Sequence, residues 1–320
     1  MRRLATTMLG MAALGAAGLA YARWEADRYT LRRVDIPLLD GAQAPLRILH
    51  LSDLHLVPGQ ERKRAWVGSL AELRPDAVVV TGDFMSHEDA VPHVLDALDP
   101  LFHLPGAFVL GSNDYYAPRP INPAQYLRGP SQLEPKRAML PWGDLVDGLV
   151  SNGWQDLGNR RSVLKVDGRV IDVRGVDDPH ISRDRYSEVA GAFDDEADLT
   201  LGVAHAPYLR VLDAMAADGA ELILAGHTHG GQLCVPGVGA LVTNCDLDRK
   251  RAKGLSSHQG AALHVSAGLG TSPYAPFRFA CPPEATLITL TPGPSPRRSG
   301  EPAGADGDAG PGPARDAAWT

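Results

Sequence analysis

The chain has 320 residues, of which 44% are apolar and 22% charged, the composition of a folded globular protein rather than a disordered one. Its formal net charge of -7 supplies no basic field, so a nucleic acid partner held through its phosphates is not expected. An anionic substrate would have to find positive charge locally, and bound metal ions are one source of it.

At the N-terminus Arg2 and Arg3 precede an uncharged run from Leu4 to Ala22, closed by Arg23. Its length of about 19 residues approaches what a bilayer crossing needs, although Ala and Gly dominate it. Residues 1–22 are therefore expected to be a signal anchor holding the protein to the cell membrane. The alternative is a signal peptide: Ala20-Tyr21-Ala22 has the small-x-small form of a cleavage site, and the product would be exported. Arginines 23, 28, 32 and 33 beyond the run outnumber the two before it, which argues against export. Residues 23–46 read as a charged linker interrupted by Pro37 and Pro45. The body follows over residues 47–290. From 291 to 320 Pro, Gly, Ala, Ser and charge prevail, which predicts a disordered tail.

Within the body, short apolar runs end in polar residues. Arg47–Leu51 leads to Ser52-Asp53, Ala77–Thr81 to Gly82-Asp83, and Ala107–Leu110 to Gly111-Ser112-Asn113-Asp114. Leu199–Ala204 leads to His205, and Glu221–Ala225 to Gly226-His227. Continuous apolar strands belong to sheets covered on both faces, and open α/β sheets carry their sites at strand ends. Helical patterns lie between them at Arg64–Leu73 and Val91–Leu98, and Val166-Asp167-Gly168-Arg169 predicts a hairpin. The fold class is α/β: a layered α/β/β/α sandwich of two mixed sheets with helices outside. The three cysteines, Cys234, Cys245 and Cys281, lack metal or disulfide spacing and read as free thiols, with one disulfide as the alternative.

Asp53-x-His55 is expected to present two ligands on one face of an extended segment. Asp83, His205 and the pair His227-x-His229 among glycines add to the inventory. Carboxylate oxygen with imidazole nitrogen suits Mn²⁺, Fe²⁺, Zn²⁺ or Co²⁺. These ligands exceed one tetrahedral site and point to a dinuclear metal site at strand ends, with two divalent ions about 3.5–4 Å apart.

Ser52-Asp53-Leu54-His55, Thr81-Gly82-Asp83, His205 and Gly226-His227-Thr228-His229-Gly230-Gly231-Gln232 resemble the signature of calcineurin-like metallophosphoesterases. With the N-terminal apolar segment, they resemble its membrane-associated branch of YkuE- and YaeI-type bacterial phosphodiesterases. The resemblance implies a metal-dependent phosphoric ester hydrolase in which a metal-bridging hydroxide attacks phosphorus, acting on a lipid-linked or nucleotide-type phosphate. It implies Asp83 as the bridging ligand, Asp53, His55 and His229 on one ion, and Asn113, His205 and His227 on the other. Asp83, Asn113 and His205 are the implied catalytic set. Where the family usually reads Gly-Asn-His-Asp/Glu, this chain has Gly111-Ser112-Asn113-Asp114, so the acid histidine is missing. Either Ser112 or Asn113 takes the ligand position, and Asn113 is the better donor. Asp114 or a tyrosine of the next segment is the candidate replacement acid. That segment, long enough for a lid, offers Tyr115, Tyr116 and Arg119 to the substrate. His87, His93, His103, His180, His258 and His264 lack ligand spacing and read as structural.

Overall fold

The computed structural model describes residues 2–39, 43–120, 137–293 and 315–317. In chain order the regular elements begin with α1 (Arg2–Glu25), β1 (Thr30–Leu39), β2 (Leu46–Leu51), α2 (Glu61–Ser69), β3 (Ala77–Thr81) and α3 (Val91–Leu98). Next come β4 (Gly106–Val109), α4 (Ser112–Tyr115), α5 (Trp142–Ser151), β5 (Gln155–Asp156), β6 (Arg160–Val166) and β7 (Arg169–Gly175). They are followed by β8 (Leu199–Val203), α6 (Leu209–Ala217), β9 (Leu222–Ala225), β10 (Cys234–Val235) and β11 (Gly239–Ala240). The last are β12 (Gly254–His258), β13 (Ala261–Val265), β14 (Glu284–Pro292) and β15 (Arg315–Ala317).

Two mixed sheets form. One runs β15-β1-β14-β2-β3-β4-β5 and the other β12-β13-β9-β8-β7-β6, while β10 and β11 make a small separate hairpin. Side chains of the two large sheets meet in one apolar layer that includes Ile48, Val79, Val109 and Ile288 from the first and Ile171, Val173, Leu201 and Leu224 from the second. Alternate residues face outward. Leu49, Val78, Val80 and Phe108 pack under Val67, Val94, Leu98, Leu145 and Leu149 of α2, α3 and α5. On the far side Ile223, Leu263 and Val265 pack under Val211, Leu212 and Met215 of α6. The α/β/β/α layering read from the apolar strands is therefore present. The hairpin is too: β6 pairs antiparallel with β7, and Asp167 and Gly168 between them both take positive φ, 50° and 78°.

Two N-terminal expectations are corrected. Helix α1 covers the run expected to anchor the chain, but no helix among the described residues is long and apolar enough to cross a membrane. It has the length; its Ala- and Gly-rich sequence lacks the apolarity. The stretch expected as a linker is instead built into the fold. Within it β1 pairs in parallel with β14, burying Leu31, Ile36, Leu38 and Leu39. Its prolines forbid a helix but not a strand near a sheet edge. The end of α1 is fixed as well, since Arg278 donates its backbone N–H to Ala22 O at 2.9 Å and Cys281 donates to Glu25 Oε2 at 3.4 Å.

Of the expected tail, residues 294–314 and 318–320 lie outside the described residues; Thr291 and Pro292 still belong to β14, and β15 pairs antiparallel with β1. Residues 121–136 of the expected lid also lie outside the described residues. All three cysteines are free.

Candidate metal centre

The strands β2 and β3 of one sheet and β8 and β9 of the other, parallel within each pair, are each followed by site residues. Asp53 and His55 follow β2, Asp83 follows β3, His205 follows β8, and His227 and His229 follow β9. The extended segment expected for Asp53-x-His55 is absent. Asp53, His55, Asp83, His227 and His229 all have left-handed backbones, with φ of 51°, 44°, 55°, 68° and 50°. Non-glycine residues adopt that region at a cost of roughly 1–3 kcal/mol each, so five together mark loops whose shape is dictated by what the side chains must reach. Close approach requires glycine at two neighbours. A Cβ on Gly226 would lie 1.8 Å from Ser52 Oγ, and one on Gly111 would lie 2.3 Å from Asp83 Oδ1.

Asp53, His55, Asp83 and His229 bring one ligand atom each within 4.8 Å of one another, a group able to hold a metal ion. His229 Nε2 lies 3.5 Å from Asp53 Oδ1 and 3.2 Å from His55 Nε2. Asp83 Oδ2 stands between two imidazoles, 3.4 Å from His55 Nε2 and 3.5 Å from His205 Nε2. Asn113 caps the same carboxylate, its backbone N–H on Oδ1 and its side-chain amide on Oδ2, both at 2.8 Å. It is thus the Asn113 side chain that reaches the shared carboxylate. His227 stacks edge-on against His205, ring centroids 5.2 Å apart.

The outward nitrogens are held from behind. His55 Nδ1 meets Ser86 Oγ at 2.9 Å, His205 Nδ1 donates to Thr81 O at 2.6 Å, and His227 Nε2 donates to Asn244 O at 3.1 Å. Such contacts set the tautomer and leave the other ring nitrogen for a metal. A divalent ion fits this donor set, because Asp53 Oδ1 and His205 Nε2 are fully buried and lack any hydrogen-bond partner. An orphaned carboxylate oxygen and an orphaned imidazole nitrogen in one buried cluster are costly unless a cation joins them.

The electrostatics agree. Burial disfavours the Asp83 charge, but His205, His55 and Asn113 outweigh it and hold the carboxyl well below its ordinary range. Burial likewise opposes charge on His205, yet Asp83 beside it raises that imidazole well above its usual value. Burial raises Asp53 to about 6 and lowers His55 to about 4. It also holds His227 and His229 well below the ordinary value, as neutral rings suited to ligation.

Some expected residues stand elsewhere. Tyr115 is buried, its hydroxyl donating to Asp177 Oδ1 at 2.9 Å while Arg183 stacks on its ring at 4.0 Å, so it supports the wall instead of meeting a substrate. Tyr116 and Arg119 are half-buried on the segment after α4. Asp114 is not placed to donate a proton. It is buried, and its two oxygens accept four backbone N–H groups, from Asp83 (2.8 Å), Phe84 (2.7 Å), Met85 (3.2 Å) and Gly111 (2.9 Å). His180, read as structural, lies at the site: its ring centroid is 4.5 Å from that of His227, and its Nδ1 is 3.1 Å from the Tyr208 hydroxyl. Its position just beyond the end of β7 is the signal that spacing alone does not carry. Arg278, outside every motif, belongs to the site as well. It is buried, donates to the carbonyls of Ala267 (2.8 Å) and Gly270 (2.8 Å), and lies 3.3 Å from His229 Nδ1.

Residues 46–231 match the family model of the calcineurin-like phosphoesterases. The chain belongs to that family. It is accordingly a hydrolase acting on phosphoester bonds, and the cluster around Asp83 is where the family's divalent metal chemistry would sit. The chain is 27% identical over 308 residues to the uncharacterized metallophosphoesterase YkuE of Bacillus subtilis, covering 90% of this chain and 96% of that protein. It is also 27% identical over 282 residues to the phosphodiesterase YaeI of Escherichia coli, covering 85% and 93%. Among solved structures, a Thermus thermophilus protein, TT1561, aligns at 12% identity with a TM-score of 0.41, over 71% of this chain and 91% of that one.

Proposed function

We propose that this phosphoesterase works with two divalent ions, Asp53, His55 and His229 holding one, Asn113, His205 and His227 the other, and Asp83 both. The observation that carries the reading is the position of Asp83 Oδ2, 3.4 Å from His55 Nε2 on one side and 3.5 Å from His205 Nε2 on the other. One carboxylate oxygen between imidazoles carried by different sheets is the geometry a bridging ligand needs. The ions would supply an activated water nucleophile and Lewis-acid neutralisation of the phosphoryl oxygens.

The chain's own residues do the rest. Asn113, tied to Asp83 through backbone and side chain, fixes the carboxylate and offers its amide to a phosphoryl oxygen or to the second ion. The neutral imidazoles of His55, His227 and His229 add no charge of their own to the site. Tyr116 and Arg119, half-buried on the segment after α4, are the residues offered to the substrate's remaining groups. The Escherichia coli relative is named a phosphodiesterase, which favours a diester as the substrate.

The test is metal analysis and hydrolysis of bis(p-nitrophenyl) phosphate by the purified chain reconstituted with Mn²⁺. Two ions per chain are expected, together with turnover that Asp83→Asn abolishes. A content of one ion or none, or an Asp83→Asn variant keeping more than roughly a tenth of the rate, would overturn the bridged pair.

A further inference from the structure

We infer that His264, His50, Thr81 and Ser52 form a positioning relay that holds Asp53 in the one orientation that turns its free oxygen toward the metal. The inference rests on the reading of Asp53 as a ligand.

The apolar layer between the two sheets contains a polar thread. His50 of β2 and Thr81 of β3 stand on the inner face of the first sheet, and His264 of β13 on the inner face of the second. His264 Nδ1 and His50 Nδ1 are 2.9 Å apart, His50 Nε2 and Thr81 Oγ1 3.0 Å, Thr81 Oγ1 and Ser52 Oγ 2.7 Å, and Ser52 Oγ and Asp53 Oδ2 2.6 Å. All five residues are buried.

The protons available fix the direction of every bond. An ionised Asp53 only accepts, so Ser52 gives its single proton to Oδ2. Ser52 Oγ must then accept from Thr81, whose single proton is thereby used. Thr81 Oγ1 in turn accepts from His50 Nε2–H. A neutral His50 that donates through Nε2 has only Nδ1 left as acceptor, so His264 Nδ1–H donates to it. The remaining nitrogen, His264 Nε2, must be unprotonated, and it is fully buried without a partner. Four bonds aligned the same way polarise one another and end on one carboxylate oxygen.

That oxygen also accepts the backbone N–H of His227 at 3.1 Å. Asp53 Oδ2 is thus saturated while Oδ1 has no partner, and the asymmetry aims the free lone pairs into the cluster. Gly226 closes the other side, since any side chain there would strike Ser52 Oγ. The relay begins in the opposite sheet, so the orientation of Asp53 depends on how the two sheets are docked.

The test uses the full chain and Co²⁺, followed by calorimetric titration and visible absorption, with the melting temperature of the metal-free protein measured alongside. Ser52→Ala and Thr81→Val are expected to weaken one Co²⁺ site by about 10–100-fold, the usual loss when a ligand's supporting contact is removed, and to alter its absorption band. Thr81→Ser keeps the hydroxyl and is expected to restore both. Unchanged Co²⁺ affinity in Ser52→Ala and Thr81→Val, or equal losses in Thr81→Val and Thr81→Ser, would overturn the relay, whatever happens to the melting temperature. Asp53→Ala separates the two claims. If it binds Co²⁺ like the wild type, the ligand reading fails and the relay with it; if it loses a site that Ser52→Ala keeps, the relay alone fails.

Discussion

Asp114→Asn separates a structural clamp from a proton donor. The side chain is enclosed, and each of its oxygens is aimed at two backbone N–H groups: Oδ2 at Asp83 and Gly111, Oδ1 at Phe84 and Met85. Burial, and after it the neighbouring Asp83, push this carboxyl up to about 8 against the pull of the N–H donors; a proton on either oxygen would nonetheless face a donor, so the four hydrogen bonds favour the carboxylate. Asparagine keeps the shape but replaces one oxygen by an NH₂ group. Whichever way the amide turns, two of the four buried N–H groups lose their acceptor. Each such loss costs about 1–3 kcal/mol, which gives roughly 2–6 kcal/mol for the variant. Against a total stability of about 5–15 kcal/mol this is a large share, and the melting temperature should fall by on the order of 10 °C. The damage is local to the turns that carry Asp83 and Asn113, so Mn²⁺ content should fall with stability. Urea unfolding of the metal-free protein and metal analysis after reconstitution measure both. If Asp114→Asn unfolds within about 0.5 kcal/mol of the wild type and holds its metal, yet has lost turnover, the clamp argument is wrong and Asp114 is an acid.

Two further predictions concern the same turn. Asn113→Ala should lower metal content and remove most of the activity, because its amide sits 2.8 Å from the shared carboxylate, whereas Ser112→Ala should be nearly silent; exchanged effects in the same metal and rate assays would put Ser112 in the ligand position. With no histidine at position 113 and Asp114 committed to backbone N–H groups, hydrolysis should depend steeply on leaving-group pKa, p-nitrophenyl esters outpacing alkyl esters by about 10²–10⁴-fold more than their intrinsic reactivity difference where a positioned acid would otherwise help. A flat dependence across a series of aryl and alkyl esters would mean that another donor, such as His180, protonates the departing oxygen.

Sequence makes the strands and the ligand types legible, because continuous apolar runs and glycine-flanked histidines carry their own explanation. It does not make the local backbone legible. Strand alternation predicts that Asp53 and His55 converge on one face, yet both residues are left-handed, with φ of 51° and 44°, on a segment that still runs beside the stretch after β3, Asp53 and His55 donating their backbone N–H groups to Gly82 O and Asp83 O. Nothing in the spacing distinguishes the two routes to the same face. Thr30–Leu39 is hidden for a related reason: Pro37 and its charges look like a linker until β14, some 250 residues later, provides the pairing partner. Residues that act on other residues are the hardest to see. His50, Thr81 and His264 occupy ordinary strand positions, and Arg278 lies outside every motif. What makes them matter is that each completes the hydrogen bonding of a group the cluster needs in one orientation, and that is a property of the closed sandwich. The strained turns point the same way. Left-handed backbones at Asp53, His55, Asp83, His227 and His229 are costly individually, and they persist because Ser52, Ser86, Asn244, Asp114 and, through the His229 carbonyl, Arg278 hold the turns or their side chains from behind. A cluster preformed to this degree has met its ordering cost during folding, so an arriving ion finds its ligands already turned toward it.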